Sequence, residues 1–88
     1  MNTFMLTVAT PDGNRFQGEV EGLFLRGTEG DLAILAKHTP FFTAVKPGAC
    51  SIDTPDGNRR TAHTEGGLLS VGADRVTLLS DSFRWDGE

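Results

Sequence analysis

Glycine and proline divide this chain so finely that long helices have almost no room. The 88 residues include 11 glycines and 4 prolines, and only residues 73–86 run beyond ten positions without either. Because both residue types disfavour a helix interior, short strands joined by turns at intervals of roughly 8–12 residues are favoured instead. The sequence therefore predicts an all-β fold, and its length predicts one domain over residues 1–88.

Charge and cysteine content narrow the class of partner. The formal net charge is −4 and the isoelectric point is about 5.0, and the Arg59-Arg60 pair is too small to attract nucleic acid or an anionic membrane surface. A single cysteine, Cys50, forms no internal disulfide and fits a reducing compartment. No apolar run approaches the roughly 20 residues that span a bilayer. We therefore predict no direct membrane insertion, and any membrane association should run through a protein partner.

Alternation and turn chemistry mark the first strands. Phe4, Leu6 and Val8 alternate with less apolar neighbours, which predicts a strand with one buried face. The hexamer Thr-Pro-Asp-Gly-Asn-Arg at 10–15 predicts a hairpin turn and recurs letter for letter at 54–59. Duplication and independent use of the same turn chemistry both remain open, because little outside the hexamer matches.

The later segments give mixed signals. The apolar residues 32–35 predict a short buried strand, and the polar residues 60–64 predict an exposed strand. Cys50 is expected to be a small core residue. The spacing from 76 to 83 also fits a helix face, but its β-branched content favours a strand. The tail is polar apart from Trp85 and should fray unless that ring packs.

No arrangement of residues points to catalysis, a metal or a cofactor. One cysteine and two histidines (His38 and His63) give no zinc spacing, and a nucleophile pair of Cys50 with either histidine has no supporting motif. The one glycine-flanked turn carries Glu29 and Asp31, whose negative charge would repel phosphate. A small hydrolase that uses Cys50 or His38 therefore remains only a formal alternative.

The stretch 27–48 departs most from simple alternating strands. It opens with the acidic turn around Asp31, continues through a polar, proline-stiffened loop and reaches Phe41-Phe42. Two adjacent aromatic residues beside such a loop are typical of a docking surface more than of a catalytic pocket. The alternative is a core strand between two solvated loops.

Seven short segments form an ordered series along the chain. They are 6–11 (L-x-V-x-T-P), 16–20 (F-x-G-x-V), 27–35 (G-x-E-G-D-L-x-I-L), 38–40 (H-x-P), 43–48 (T-A-x-K-P-G), 66–67 (G-G) and 76–81 (V-T-x-L-x-D). Single segments are weak signals, but together, in order and with matching spacing, they resemble the N-terminal β-sandwich domain of the epsilon subunit of F-type ATP synthases. The resemblance runs from residue 4 to about residue 81 without obvious gaps.

The resemblance implies a flattened β-sandwich of about ten strands in the central stalk, on the cytoplasmic side of the bacterial inner membrane. It implies a non-catalytic rotor subunit without a cofactor, bound to the gamma subunit and to the c-ring, that couples ion translocation to ATP synthesis. The residues that match the turn facing the c-ring are Glu29, Gly30 and Asp31. The residues that match the surface facing gamma are Thr10, His38, Thr39, Pro40, Phe41, Phe42 and Thr43.

The chain departs from the family pattern in the site and at its end. Ala36-Lys37 replaces a usual Pro-Gly and makes that loop more positive, Ala33 replaces a usual Gly, and Glu65 replaces a usual Ser. Family members usually continue into a helical hairpin that can bind ATP and inhibit hydrolysis. Whether the chain is a natural short form or a piece, we expect no C-terminal helical domain, no ATP binding and no inhibition. The alternative function is a stand-alone β-sandwich module for a different soluble partner.

Overall fold

The computed structural model describes residues 2–36 and 39–87, and these residues form ten strands and no helix. The prediction of an all-β sandwich of about ten short strands is confirmed, and residues 76–79 lie in a strand as expected. The strands are β1 (Phe4–Thr10), β2 (Gly13–Val20), β3 (Gly22–Gly27), β4 (Gly30–Leu35), β5 (Phe41–Val45), β6 (Gly48–Asp53), β7 (Arg59–Thr64), β8 (Gly67–Val71), β9 (Arg75–Ser80) and β10 (Phe83–Trp85).

The strands form two layers that share strand β3. One layer runs β10-β7-β6-β3, with β4 along the other edge of β3, and the second runs β5-β8-β9-β1-β2. The first residues of β3, from Gly22 to Phe24, pair with β6, and its last residue, Gly27, pairs with Val45 of β5. Strands β1 and β9 run parallel. This sharing of β3 holds the two layers face to face over one core.

Inward-facing side chains of both layers fill that core. Phe4, Leu6 and Val8 are buried on one face of β1, so the predicted alternation is confirmed. Leu23 of one layer and Leu69 of the other are fully buried. The period-2 pattern of short strands therefore supplies the core, without any long apolar run.

Strand β4 is not the buried strand that residues 32–35 predict. Only Ile34 is buried, while Ala33 and Leu35 are exposed. The reason is position, because β4 pairs with β3 alone and lies at an edge, where Ile34 enters the core and Leu32 packs against it half-buried. A run of apolar residues in the sequence does not distinguish an edge strand from a central one.

Strand β7 is more buried than the exposed polar strand that residues 60–64 predict. Ala62 and Thr64 are both buried, so that prediction is wrong for the inward face. The Oγ1 of Thr64 lies 2.6 Å from the Oγ of Ser80 and accepts a hydrogen bond from the Gly66 N–H at 3.1 Å. A buried hydroxyl with these partners carries little desolvation penalty.

The repeated hexamer folds into two different hairpins. In the first copy Thr10 pairs with Gly13 across two residues, and Arg15 is the extra residue of a bulge. In the second copy Asp53 pairs with Arg59, so the loop is longer. The Arg59 guanidinium donates to both Asp53 carboxylate oxygens, at 2.6 and 3.0 Å, and lowers the pKa of that carboxyl. The same six residues therefore form a turn in both places, but the pairing of the flanking strands determines how long the loop is.

Strand β10 holds the C-terminal end against both layers. It pairs with β7, and the Trp85 ring packs edge-on against Phe83 and Phe16, at centroid distances of 5.0 and 5.9 Å. The Arg60 guanidinium lies 3.8 Å over the same ring, a cation–π contact. The tail was expected to fray unless the Trp85 ring packs, and the ring does pack.

Cys50 faces the core and its thiol should be inert. It is 1% exposed, and burial raises its pKa from 9.0 to about 12. Because only the thiolate reacts, we expect labelling by a disulfide reagent at pH 8 to be at least roughly a hundredfold slower in the folded chain than in denaturant. Because the thiol ionises near pH 9 in the unfolded chain and near 12 in the folded chain, the free energy of unfolding falls as pH rises from 9 towards 12. Equal labelling rates in the folded and unfolded chain would contradict this burial.

Candidate functional site

The acidic turn predicted from the sequence lies at the tip of the β3–β4 hairpin. Gly27 pairs with Gly30, which leaves Thr28 and Glu29 as a two-residue turn. Gly30 has a φ of +128°, a conformation that glycine adopts without steric cost. Glu29, Gly30 and Asp31 are all exposed. The hairpin therefore brings the three predicted residues together at one accessible end.

Arg26 offsets part of the negative charge of this turn. It stands opposite Asp31 on the neighbouring strand, and its Nε lies 3.6 Å from the Asp31 Oδ1. Among residues 2–36 and 39–87, Glu29 has no ion pair of its own. Within the described part of the chain, the turn thus presents one carboxylate with an ion pair and one without, a distribution suited to a cationic or polar partner surface.

The two adjacent phenylalanines lie on opposite faces of β5. Phe41 shares the inward side with Val45 and is 39% exposed, whereas Phe42 points outward and is 66% exposed. Successive side chains of a strand alternate in this way. The structure therefore does not bring them together as one aromatic patch, and only Phe42 belongs to the outer surface of its layer.

An exposed apolar surface surrounds the Phe42 side of the sandwich. The pairing of β5 with β8, β8 with β9 and β9 with β1 aligns four outward-facing residues in one row, Ala44, Leu68, Leu79 and Ala9. Phe42 lies on the same face, two residues along β5, and Leu68 and Leu79 are 43% and 52% exposed. We call Phe42, Ala44, Leu68, Leu79 and Ala9 the apolar face. Contiguous exposed apolar side chains of this kind mark interaction surfaces.

Sequence reasoning missed the leucines of the apolar face, although the sequence carries a signal for them. Leu68 precedes Leu69, and Leu78 precedes Leu79. In a strand, neighbouring side chains point to opposite sides, so one leucine of each pair must leave the core. Leu69 and Leu78 are fully buried, and their partners face outward. The sequence could not show that the two outward leucines stand side by side, because that depends on strand register.

Thr10, another residue predicted to face gamma, borders the apolar face. Thr10 and Leu79 line a shallow depression of about 260 Å³ together with Pro11 and neighbouring residues. Thr43 is half-buried, and Thr39 and Pro40 are exposed just before β5. His38 lies outside the described residues. The structure thus connects Thr10 to the Phe42 surface through a residue that was not predicted.

The acidic turn and the apolar face are carried by adjoining strands. Gly27, at the end of β3, pairs with Val45, at the end of β5, and the Lys46 N–H donates to the Arg26 carbonyl oxygen at 2.9 Å. Backbone pairing of this kind fixes the distance and orientation between two elements. The hairpin tip and the outward side of β5 are therefore parts of one continuous framework.

The geometry offers no support for hydrolase chemistry at Cys50. Its strand neighbour Ala49, not Cys50, stands opposite His63, so the thiol and that imidazole point to opposite sides of the layer. The His63 Nε2 instead lies 3.0 Å from the Glu65 Oε2.

Within the described residues, no group of three or more His, Cys, Asp or Glu is arranged to hold a metal ion. The part of the chain that the structure describes contains no helix with the length and hydropathy of a membrane span.

Comparison with known sequences matches the chain to one family. The model of the ATP synthase, Delta/Epsilon chain, beta-sandwich domain matches residues 3–86. The ATP synthase epsilon chain of Psychrobacter sp. (strain PRwf-1) is 40% identical over 82 residues, and that of Psychrobacter cryohalolentis is 38% identical over 82 residues. Each alignment covers 93% of this chain and 59% of the relative. The chain thus spans about three-fifths of the length of these relatives.

Solved structures share the fold at low sequence identity. A chain of the Euglena gracilis mitochondrial ATP synthase, in a structure described as OSCP/F1/c-ring, superposes with a TM-score of 0.90 at 21% identity, covering 97% of this chain and 54% of that one. A chain of the Tetrahymena thermophila mitochondrial ATP synthase, described as central stalk/c-ring, has a TM-score of 0.75 at 17% identity, covering 90% of this chain and 63% of that one. These two likenesses show the same sandwich.

Proposed function

The chain belongs to the ATP synthase delta/epsilon-chain β-sandwich family, and from that premise we propose that it is a non-catalytic rotor subunit of the central stalk of an F-type ATP synthase. In this role it couples ion translocation to ATP synthesis and hydrolysis without taking part in the chemistry. One observation carries the proposal, namely that an exposed acidic hairpin and an exposed apolar face occupy adjoining strands of one small sandwich. A subunit that transmits torque needs two such contacts on a single body.

The apolar face is the surface we assign to the gamma subunit. Large exposed apolar side chains contribute to binding when a partner removes them from water, and Phe42, Leu68 and Leu79 offer that area on one side. Thr10, which the family resemblance assigns to gamma, borders it, whereas Thr43 shares the inward side of β5 with Phe41. Phe41 contributes to this contact only at its exposed rim, because it faces inward.

The acidic turn is the surface we assign to the c-ring. Glu29, Gly30 and Asp31 form an accessible hairpin end, and their charge is complementary to basic or polar loops. Docking through protein alone, on gamma and on the ring, places the chain at the cytoplasmic side of a bacterial inner membrane as a peripheral component. That placement follows from the proposed partners.

Affinity capture from detergent-solubilised membranes tests the proposed function. The tagged chain, expressed in its source cells, should recover both gamma and the c-ring subunit in stoichiometric amounts, whereas the tag alone should recover neither. Consistent absence of both proteins, while the chain itself remains folded by circular dichroism, would contradict the proposal. Recovery of gamma without the ring would contradict the assignment of the acidic turn.

A further inference from the structure

A depression lies beside the acidic turn, between residues of β3, β4 and β6. Phe24 and Arg26 of β3 share the outward side with their cross-strand partners, which are Ala33 and Asp31 of β4 and Ser51 of β6. The short alanine and serine side chains do not fill the surface beside Phe24. The resulting open depression has a volume of about 430 Å³, and its lining includes Phe24, Arg26, Asp31, Ala33, Ala49 and Ser51. Ala33 and Ala49 are exposed. The site therefore combines apolar walls with one ion pair, Arg26 and Asp31, among its lining residues.

The ion pair of the depression is too exposed to stabilise the fold appreciably. The Arg26 and Asp31 side chains are 62% and 84% exposed, and their charged atoms are 3.6 Å apart. Exposed pairs of this kind contribute little to folding. The Arg26 stem nevertheless has a defined path, since its Cδ would lie only 2.9 Å from a Cβ at position 48, where the chain has glycine. The Arg26 stem thus lies against Gly48 of β6, while its guanidinium lies near Asp31 of β4 on the other side of β3.

We infer that Arg26 occupies, in the free chain, the position that a cationic side chain of the partner loop takes on docking. The incoming side chain, arginine foremost, lays its aliphatic stem over the depression and its charge on Asp31, displacing Arg26 into water. Long cationic side chains bind in this manner, with an apolar stem and a charged head in different surroundings. The inference rests on the proposed c-ring contact and adds its partner chemistry and an internal competitor.

This arrangement predicts that removing the Arg26 charge increases the affinity for the partner. If Arg26 merely supported the hairpin, Arg26→Ala would weaken docking. If Arg26 competes for Asp31, the same substitution tightens docking, because the partner no longer has to displace it. The size of the gain is bounded by the small stabilisation of an exposed pair, which corresponds to about a twofold to fivefold change in affinity. The gain should vanish at high ionic strength.

Binding to a purified subcomplex of gamma and the c-ring in detergent tests the inference. At low salt we expect Arg26→Ala to bind about twofold to fivefold more tightly than the unaltered chain, and Asp31→Asn to bind more weakly. In the Asp31→Asn background, Arg26→Ala should bring no gain, since the competition has no target. An equal or lower affinity of Arg26→Ala in the unaltered background overturns the inference.

Filling the depression gives a second and independent measurement. Ala49→Phe places a ring over the apolar walls and should lower affinity for the same subcomplex about tenfold, whereas Ala73→Phe, at an exposed alanine in the β8–β9 turn, should leave it unchanged. Equal affinity of both variants overturns the use of the depression. If the unaltered chain does not bind the subcomplex at all, the proposed function fails and this inference with it. If the unaltered chain binds and Asp31→Asn weakens that binding, the proposed function stands, and the results for Arg26→Ala and Ala49→Phe decide the inference.

Discussion

Replacing Gly67 by alanine is expected to destabilise this domain severely. A Cβ at this position would lie 1.9 Å from the Leu79 carbonyl oxygen and 2.9 Å from the Ser80 Cα, and the backbone φ is +150°. Both opposing atoms belong to the main chain of β9, which pairs with β8 along its length, so they cannot yield without breaking the ladder. We expect a loss of about 4 kcal/mol or more in the free energy of unfolding, and a fall in Tm of roughly 15 °C or more.

Two other glycines serve as matched controls for the Gly67 substitution. Gly57 has a φ of +89° but open space around its Cβ position, and Gly18 has ordinary contacts only, the nearest at 3.7 Å. Gly57→Ala should cost about 1 kcal/mol, through backbone strain alone, and Gly18→Ala should change stability little. Thermal denaturation of the three variants measures the contrast. A melting temperature of Gly67→Ala within a few degrees of that of Gly57→Ala would contradict the close approach of β8 and β9.

The Gly66-Gly67 pair shows what the sequence can and cannot reveal. The pair is visible as a motif, yet its cause is the approach of other strands, since a Cβ on Gly66 would lie 2.6 Å from the Val45 carbonyl oxygen. No local pattern encodes such a distance between segments that are distant along the chain. The inward face of β1 follows from alternation, and the strand at residues 76–79 follows from its β-branched content. Both predictions hold. Predictions that depend on a strand's neighbours, such as the burial of β4 and β7, fail.

The candidate site also has parts that the sequence could predict and parts that it could not. The acidic turn could be located from the sequence, because a hairpin tip is a local structure and Glu29, Gly30 and Asp31 are consecutive. The apolar face could not, since it combines side chains from four strands whose register is a tertiary property. Phe41 and Phe42 lie on opposite sides of β5, because adjacent residues of a strand face opposite ways. Arg26 was overlooked because its partner Asp31 stands across the hairpin.

Under the proposed docking of the apolar face on gamma, polar substitution of the two exposed leucines is expected to abolish most of the affinity for that subunit. Leu68 and Leu79 face each other across β8 and β9, near the middle of the apolar face, where side chains that a partner fully desolvates contribute most. We expect Leu68→Gln/Leu79→Gln to lower affinity for gamma at least roughly thirtyfold, which corresponds to about 2 kcal/mol. Both side chains are already about half exposed in the free chain, so Tm should change by only a few degrees.

Leu35 supplies the matched control, because it is exposed to the same degree on a different strand. Its exposed fraction is 53%, against 52% for Leu79, and it lies on β4, outside the apolar face. Leu35→Gln should therefore leave the affinity for gamma unchanged in a titration followed by calorimetry. Phe42→Ser should weaken binding, whereas Phe41→Ser, on the inward side of β5, should act mainly on stability. Similar losses of affinity from Leu35→Gln and from the double variant would show that gamma does not select the Phe42 side of the sandwich, and the assignment of the apolar face would then be wrong.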